Sequence, residues 1–227
     1  MRRFLLFLIL IPLSYASLQL YWRAAQRRAV IARIQQFASP SHSLRLITPH
    51  LHNGDLIFHT SLSAQSRAIQ LATRSPYSHC GVLFKRGKEW RVFEAVQPVG
   101  ETSLAAWVAR GKNGHFVAKR LRDAEHVLTP TVLRKLQVAG EQYRGRNYDL
   151  YFGWSDDRMY CSELLWKMYS QATGRRIGQL QKLREFDLSH PAVQAKLRER
   201  YGRRLPLDEQ VISPVRMLES EELVTVK

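Results

Sequence analysis

Apolar and polar positions change their period along the chain, and the changes divide it. From Phe4 to Trp22 no residue is charged, and Arg2 and Arg3 stand before the run. At about 1.5 Å per residue a helix of this length spans roughly 28 Å, just enough to cross a bilayer. Ser14 and Ala16, before Ser17, also fit the small-residue pattern of a cleavable export signal. Residues 1–22 therefore read as an N-terminal hydrophobic helix, a signal peptide or a membrane anchor. Residues 23–53 follow as an amphipathic helix carrying Val30, Ile31, Ile34 and Phe37, then a linker rich in Pro, Ser and His.

From residue 54 the pattern is that of a folded domain, 54–227. GDLIFHT reads as a strand. A helix follows through Gln65 to Ala72, with Ser61 or Ser63 as its cap and Ala64, Ala68, Leu71 and Ala72 at helical spacing. HCGVLF and EWRVFEAV read as two strands joined by KRGK, and GHFVAKRL as a third. SLAAWVARG between them is a short helix with Ser103 as cap and Gly111 as stop. Thr129-Pro130 opens a helix to about Tyr143. CSELLWKMYSQATG is another, closed by Gly174, and Ser189 with Pro191 starts a last one that ends at Gly202. Clustered early strands with helices before and after predict an α+β fold, an antiparallel sheet packed against helices.

Charge changes the picture of the surface. Lys and Arg number 35 against 19 Asp and Glu, a net charge of +16 with histidines neutral. Such a surface attracts anions: nucleic acid, anionic lipid or acidic cell-wall polymers. RERYGRR near residue 200 reads as a solvated helix face. The basic cluster Arg23, Arg27, Arg28 and Arg33 beside the hydrophobic run is what the positive-inside rule keeps in the cytoplasm. The export layout outweighs it here, and the expected location is the periplasm, free or anchored to the membrane and facing it. In that oxidising compartment, a disulfide between the only two cysteines, Cys80 and Cys161, is the competing reading for both.

Candidate chemistry centres on three residues. If the β-hairpin turns at Arg86-Gly87, His79 faces Glu94; if it turns at Gly87-Lys88, Glu94 becomes a diagonal neighbour. Either register brings a carboxylate to the imidazole, fixing its tautomer. Cys80 should point to the other face, beside Val82 and Phe84, as a small core residue. Cys161 stands at a helix N-terminus, where unpaired N–H groups and the helix dipole favour thiolate. Each residue alone has a plain structural reading: a cap, a satisfied core histidine, a surface acid. Together they suit a nucleophile, a base and its orienting acid. Tyr148 and Tyr160 are candidate substrate contacts or simply packing. Asp149, Asp156 and Asp157 read as turn and helix-entry acids. His52, His59 and His115 lack companions at zinc spacing, and no HExxH, CxxC or Gly-rich phosphate loop is present, so no metal or cofactor is expected.

The segments GDLIFHTSLSAQSRAIQLATRSPYSHCGVLF, VFEAV, YDLYFGWSDDRMYCSELLW and IGQLQKLREFDLSHPAVQAKLRERYG resemble the YiiX-type branch of the permuted papain-like amidases. That group is related to the NlpC-type cell-wall peptidases and to lecithin:retinol acyltransferase, with the histidine strand ahead of the cysteine helix. The resemblance implies a permuted papain-like (NlpC-like) fold, with Cys161 as nucleophile, His79 as general base and acid, and Glu94 as the third polar member. It implies a thiol amidase or peptidase of the cell envelope. A thiol-dependent acyltransferase or lipid esterase at the membrane is the alternative. The expected partners are a peptide, a cell-wall component or a lipid amide or ester. Association with a membrane fits the anchor, and no specific nucleic acid is expected. A binding protein for anionic polymers, with a vestigial site, is a third reading.

Overall fold

The computed structural model describes residues 40–227 together with Arg23, Gln26 and Arg27, which are helical. The hydrophobic run 1–22, and the rest of the helix expected after it, lie outside the described residues. Among the described residues no helix is long and apolar enough to cross a membrane. The chain forms two compact units, Met1–Leu46 and Ile47–Lys227. Helix α1 (Pro40–Ile47) and a 3-10 turn (Thr48–His50) occupy part of the stretch read as linker.

The second unit is an α+β domain around a six-stranded antiparallel sheet. In chain order it contains β1 (Leu56–Ser61), α2 (Ser66–Thr73), β2 (His79–Arg86), β3 (Glu89–Glu94), β4 (Gly100–Ser103), α3 (Leu104–Ala109), β5 (Gly111–Leu121), α4 (Ala124–Val127), α5 (Pro130–Glu141), the two-residue strands β6 (Asn147–Tyr148) and β7 (Arg158–Met159), α6 (Cys161–Thr173), β8 (Gln181–Lys182), α7 (Pro191–Tyr201), β9 (Gln210–Val211), α8 (Pro214–Leu218) and β10 (Leu223–Thr225). The large sheet runs β10-β5-β1-β2-β3-β4, and every neighbouring pair is antiparallel.

Strand alternation gives the sheet two differently used faces. Leu56, Phe58, Cys80, Val82, Phe84 and Phe93 pack with Leu136 and Ala139 of α5 and Leu164, Leu165 and Met168 of α6 in one core. Ile57, His59, Leu83 and Val92 alternate with that set and are also buried, as are Leu104, Trp107 and Val108 of α3. α3 packs on β3, β4 and β5. Burial on both sides explains why β1 and β2 read as nearly unbroken apolar runs.

The caps expected from sequence are partly realised. Ser103 Oγ accepts from the Ala106 N–H, and Thr129 Oγ1 from the Val132 N–H. The first turn of α2 uses no side-chain cap; the Ser66 N–H donates to the Ser63 carbonyl instead. At α7 the cap is His190, whose Nδ1 accepts from the Ala192 N–H at 3.1 Å, and not Ser189.

Candidate active site

Two strands and one helix bring the three predicted residues together. His79 is the first residue of β2, Glu94 the last of β3 and Cys161 the first of α6. Arg86 pairs with Glu89, so the hairpin turns at Gly87-Lys88, with Gly87 at a φ of 60° that glycine adopts without strain. Of the two registers open from sequence, this one places Glu94 diagonally from His79 and across from Gly81. The missing side chain of Gly81 is required there. A β carbon would lie 2.3 Å from Val92 Cγ1 and 3.5 Å from Glu94 Cβ.

Glu94 is fully buried and has no idle oxygen. His79 Nε2 donates to Oε2 at 2.6 Å. Thr102 Oγ1 donates to Oε1 at 2.6 Å, and Arg110 Nη2 donates to the same oxygen. Burial would raise the Glu94 pKa, but the His79 bond and charge, Thr102 and Arg110 hold it below the ordinary carboxylate value. Thr102 and Arg110 were not singled out by the sequence reasoning. β4, which carries Thr102, has no alternating apolar pattern, and Arg110 precedes the glycine read only as a helix stop.

With Nε2 engaged by Glu94, Nδ1 is the ring nitrogen of His79 left for Cys161, which is near enough for the two groups to shift each other's pKa. Burial works against a charged His79, but the Cys161 thiolate and then Glu94 more than offset it and raise the pKa to about 9. The Cys161 pKa falls well below the ordinary thiol value. A hydrogen bond from Cys80 contributes most, burial opposes it, and the charge and hydrogen bond of His79 add to the fall. The first-turn amides of α6 act in the same direction. The site thus favours a thiolate–imidazolium pair.

Cys80 departs from its expected isolation. It is a fully buried core residue, as alternation requires, yet it lies near enough to Cys161 for each to shift the other's pKa. The reason is that α6 packs on β2 on the Cys80 side, and Cys161 is its first residue. Both cysteines are free thiols. The Cys80 pKa is raised, first by burial and then by Cys161.

The start of α6 is fixed on several sides. Glu163 accepts from the Tyr160 N–H at 3.3 Å and from Lys167 Nζ at 2.8 Å. Tyr160 is buried, with its hydroxyl accepting from the Ile212 N–H at 3.1 Å, and Ser162 Oγ donates to the Ile212 carbonyl at 2.7 Å. Tyr160 is thereby part of the wall behind Cys161. Asp149 accepts from the Tyr151 and Gly153 N–H groups and shapes the loop before α6. Asp156 pairs with Lys167 at 2.8 Å, and Asp157 is exposed.

Two clefts flank the pair. Tyr148 lines the first together with Gln65, His79, Gln97, Arg110 and Leu150. Its pKa is raised by burial and then by Cys161. The second is a groove whose wall contains Tyr160 and Cys161. Beneath the first cleft, His59 pairs with His79 in the β1–β2 ladder. It stacks on Trp107 with ring centroids 3.8 Å apart. His59 Nδ1 has no hydrogen-bond partner, and burial, then His79, lower its pKa to about 3.

The chain is 51% identical over 173 residues to the YiiX protein of Escherichia coli strain K12, covering 76% of this chain and 84% of that one. It superposes on a crystal structure of metalloprotein yiiX from Escherichia coli O157:H7 with a TM-score of 0.74 at 49% identity, covering 78% of this chain and 97% of that chain. Residues 50–227 match the family profile described as permuted papain-like amidase enzyme, YaeF/YiiX, C92 family. The chain belongs to the permuted papain-like amidases of the YaeF/YiiX type.

Proposed function

We propose that this chain is a cysteine hydrolase of the cell envelope that cleaves an amide bond through an acyl-enzyme on Cys161. The observation that carries the reading is the buried His79–Glu94 hydrogen bond at 2.6 Å, with Glu94 locked by Thr102 and Arg110 and Cys161 at the start of α6 electrostatically coupled to His79. The thiolate attacks the carbonyl carbon and forms the C–S bond, while negative charge gathers on the carbonyl oxygen. First-turn N–H groups of α6 lack intrahelical acceptors and are suited to receive that charge. His79 gives its proton to the departing nitrogen as the C–N bond breaks. A water then loses a proton to His79 and attacks the thioester. The carboxylic product leaves and the thiolate–imidazolium pair returns. Glu94 holds the ring in one tautomer through both halves.

The related crystal structure is described as that of a metalloprotein. Among the described residues of this chain, no group of three or more His, Cys, Asp or Glu is placed to hold an ion, so no step here passes through a metal. The envelope location rests on the hydrophobic run 1–22, and the N-terminal residue of the mature protein tests it. One observation favours a second reading, an acyltransferase or lipid esterase at the membrane: the groove beside Cys161 is walled mostly by apolar side chains. Both readings share the acylation step.

Iodoacetamide labelling with peptide mapping tests the shared core. Cys161 should label well below pH 8 and faster than a free thiol, and Cys161→Ser should abolish hydrolysis of acyl anilides. Labelling of Cys161 no faster than a free thiol, or a stable Cys80–Cys161 disulfide in the active protein, overturns it.

A further inference from the structure

The groove beside Cys161 has a construction of its own. Gln65, Ala68, Ile69, Ala72 and Thr73 of α2 line one side, and Val193, Lys196, Leu197, Arg200 and Tyr201 of α7 line the other. Each set follows i, i+3, i+4, i+7, i+8, the face one helix normally presents to a packed neighbour. Here the two helices contact each other and also line a cleft together. The cleft has a cavity volume of about 90 Å³. Ala68 and Ala72 are the small residues that keep it open, and Phe186 and Leu188 close its floor.

The groove has direction. At the Cys161 end Arg200 donates to Gln65 Oε1 at 2.9 Å, and Gln65 also lines the neighbouring cleft with Tyr148. At the far end the Asp187 N–H donates to the Ala72 carbonyl, which brings Phe186 and Leu188 under α2. Eight residues of α2 span roughly 12 Å, room for a linear chain of about eight to ten carbons. Arg200 also lies over the Phe152 ring, 5.3 Å from its centroid, and makes no salt bridge among the described residues. A guanidinium without an acidic partner at the mouth of an apolar slot suits a chain with an anionic head.

We propose that this groove holds the acyl chain of an anionic phospholipid, with its ester carbonyl at Cys161. The proposal rests on the Cys161 acylation step shared by both readings above, and takes the second of them, the lipid esterase, to a substrate class. The chain runs between α2 and α7 toward Phe186 and Leu188, and the phosphate lies near Arg200. The alcohol part occupies the neighbouring cleft lined by His79 and Arg110. Cys161 Sγ bonds to the acyl carbon, the ester C–O bond breaks, and the lysophospholipid alkoxide takes the His79 proton. Water then releases the fatty acid, and the proton it gives up returns to His79.

The test is a chain-length series of p-nitrophenyl esters, from acetate to decanoate, on the full chain. We expect kcat/KM to rise by up to about fourfold per methylene, following the cost of leaving a CH2 in water. The decanoate-to-acetate ratio should fall at least tenfold in Ala68→Phe and in Ala72→Phe, each checked for an unchanged thermal melt. Vesicles of phosphatidylglycerol should be hydrolysed in preference to phosphatidylcholine, and Arg200→Gln should remove that preference. A flat series, or a rise that survives both filled variants, overturns the groove. Preference for peptides with an apolar side chain over every acyl ester does the same. If even the acetate fails to acylate Cys161, the thiol reading fails with it; if acetate reacts but the series is flat, only the groove proposal falls.

Discussion

Glu94 faces Gly81, not His79, across the β2–β3 ladder, and reaches the imidazole on the diagonal. This relationship assigns a task to a residue with no side chain. Gly81 leaves space that Val92 and Glu94 use. Gly81→Ala would force a β carbon to within 2.3 Å of Val92 Cγ1, on a strand buried on both faces. Overpacking of this kind costs about 1–3 kcal/mol. Urea unfolding should show that loss, and hydrolysis should fall more than stability alone accounts for, because the shift also displaces Glu94. Unchanged kinetics in a folded Gly81→Ala protein would sink this account.

Glu94→Gln isolates the carboxylate charge. His79 is held protonated up to about pH 9, chiefly by the Cys161 thiolate and then by Glu94. Removing the carboxylate lowers the His79 pKa. The imidazolium that protonates the leaving group exists only below that pKa, so the alkaline limb of the acylation rate should move toward neutral pH. The rate at its optimum should fall roughly 10²–10⁴-fold, the range for a misplaced general acid–base group. The same carboxylate contributes stability above its unfolded value near 4.5, lost as pH falls through its depressed folded pKa. An alkaline limb that stays in place would show that Glu94 does not act through His79.

Much of this was legible because apolar period and local chemistry agree. The strand cores of β1, β2 and β3, the Ser103 and Thr129 caps and the Gly174 stop all follow from residues within a few positions. The hairpin register was open between two values. The choice lies in the close packing of Gly81 against Val92, a tertiary contact with no signal at the loop. β4 and β10 escaped because GETS and LVT are short edge strands, recognisable only by their partners. Arg110 and Thr102 were missed for a related reason: their function is a bond to Glu94, on a different strand. Arg200 was read as solvated, since charge spacing along α7 does not show that α2 stands opposite. The Cys80–Cys161 contact was hidden by alternation, which fixes the face of a side chain but not which helix begins over it.

His59 predicts an acid-sensitive core. It faces His79, Glu94, Arg110 and the Trp107 ring, and its folded pKa is about 3 against 6.5 in the open chain. Below pH 6.5 the unfolded chain takes up a proton that the folded protein refuses, so stability declines from there toward pH 3, by several kcal/mol in total. His59→Gln should flatten the decline measured by denaturant unfolding across this range, leaving the smaller part due to Glu94. An identical slope in the variant would show that His59 already carries its proton in the folded state.

Cys80 is the residue whose influence on Cys161 is most easily separated from catalysis. Its thiol is buried and un-ionised, so it can donate S–H to the Cys161 thiolate, and that bond is the largest single contribution to the depressed Cys161 pKa. Cys80→Ala removes the donor and leaves His79 and Glu94 untouched. The pH midpoint for alkylation of Cys161 by iodoacetamide should therefore move upward. Cys80→Ser, which keeps a hydrogen-bond donor of similar size, should restore most of the shift. At this fully buried position either substitution costs about 1–3 kcal/mol of stability, so an intact thermal melt is checked for both variants. A midpoint unchanged in Cys80→Ala would leave His79 and the α6 N-terminus as the sole sources of the activated thiolate.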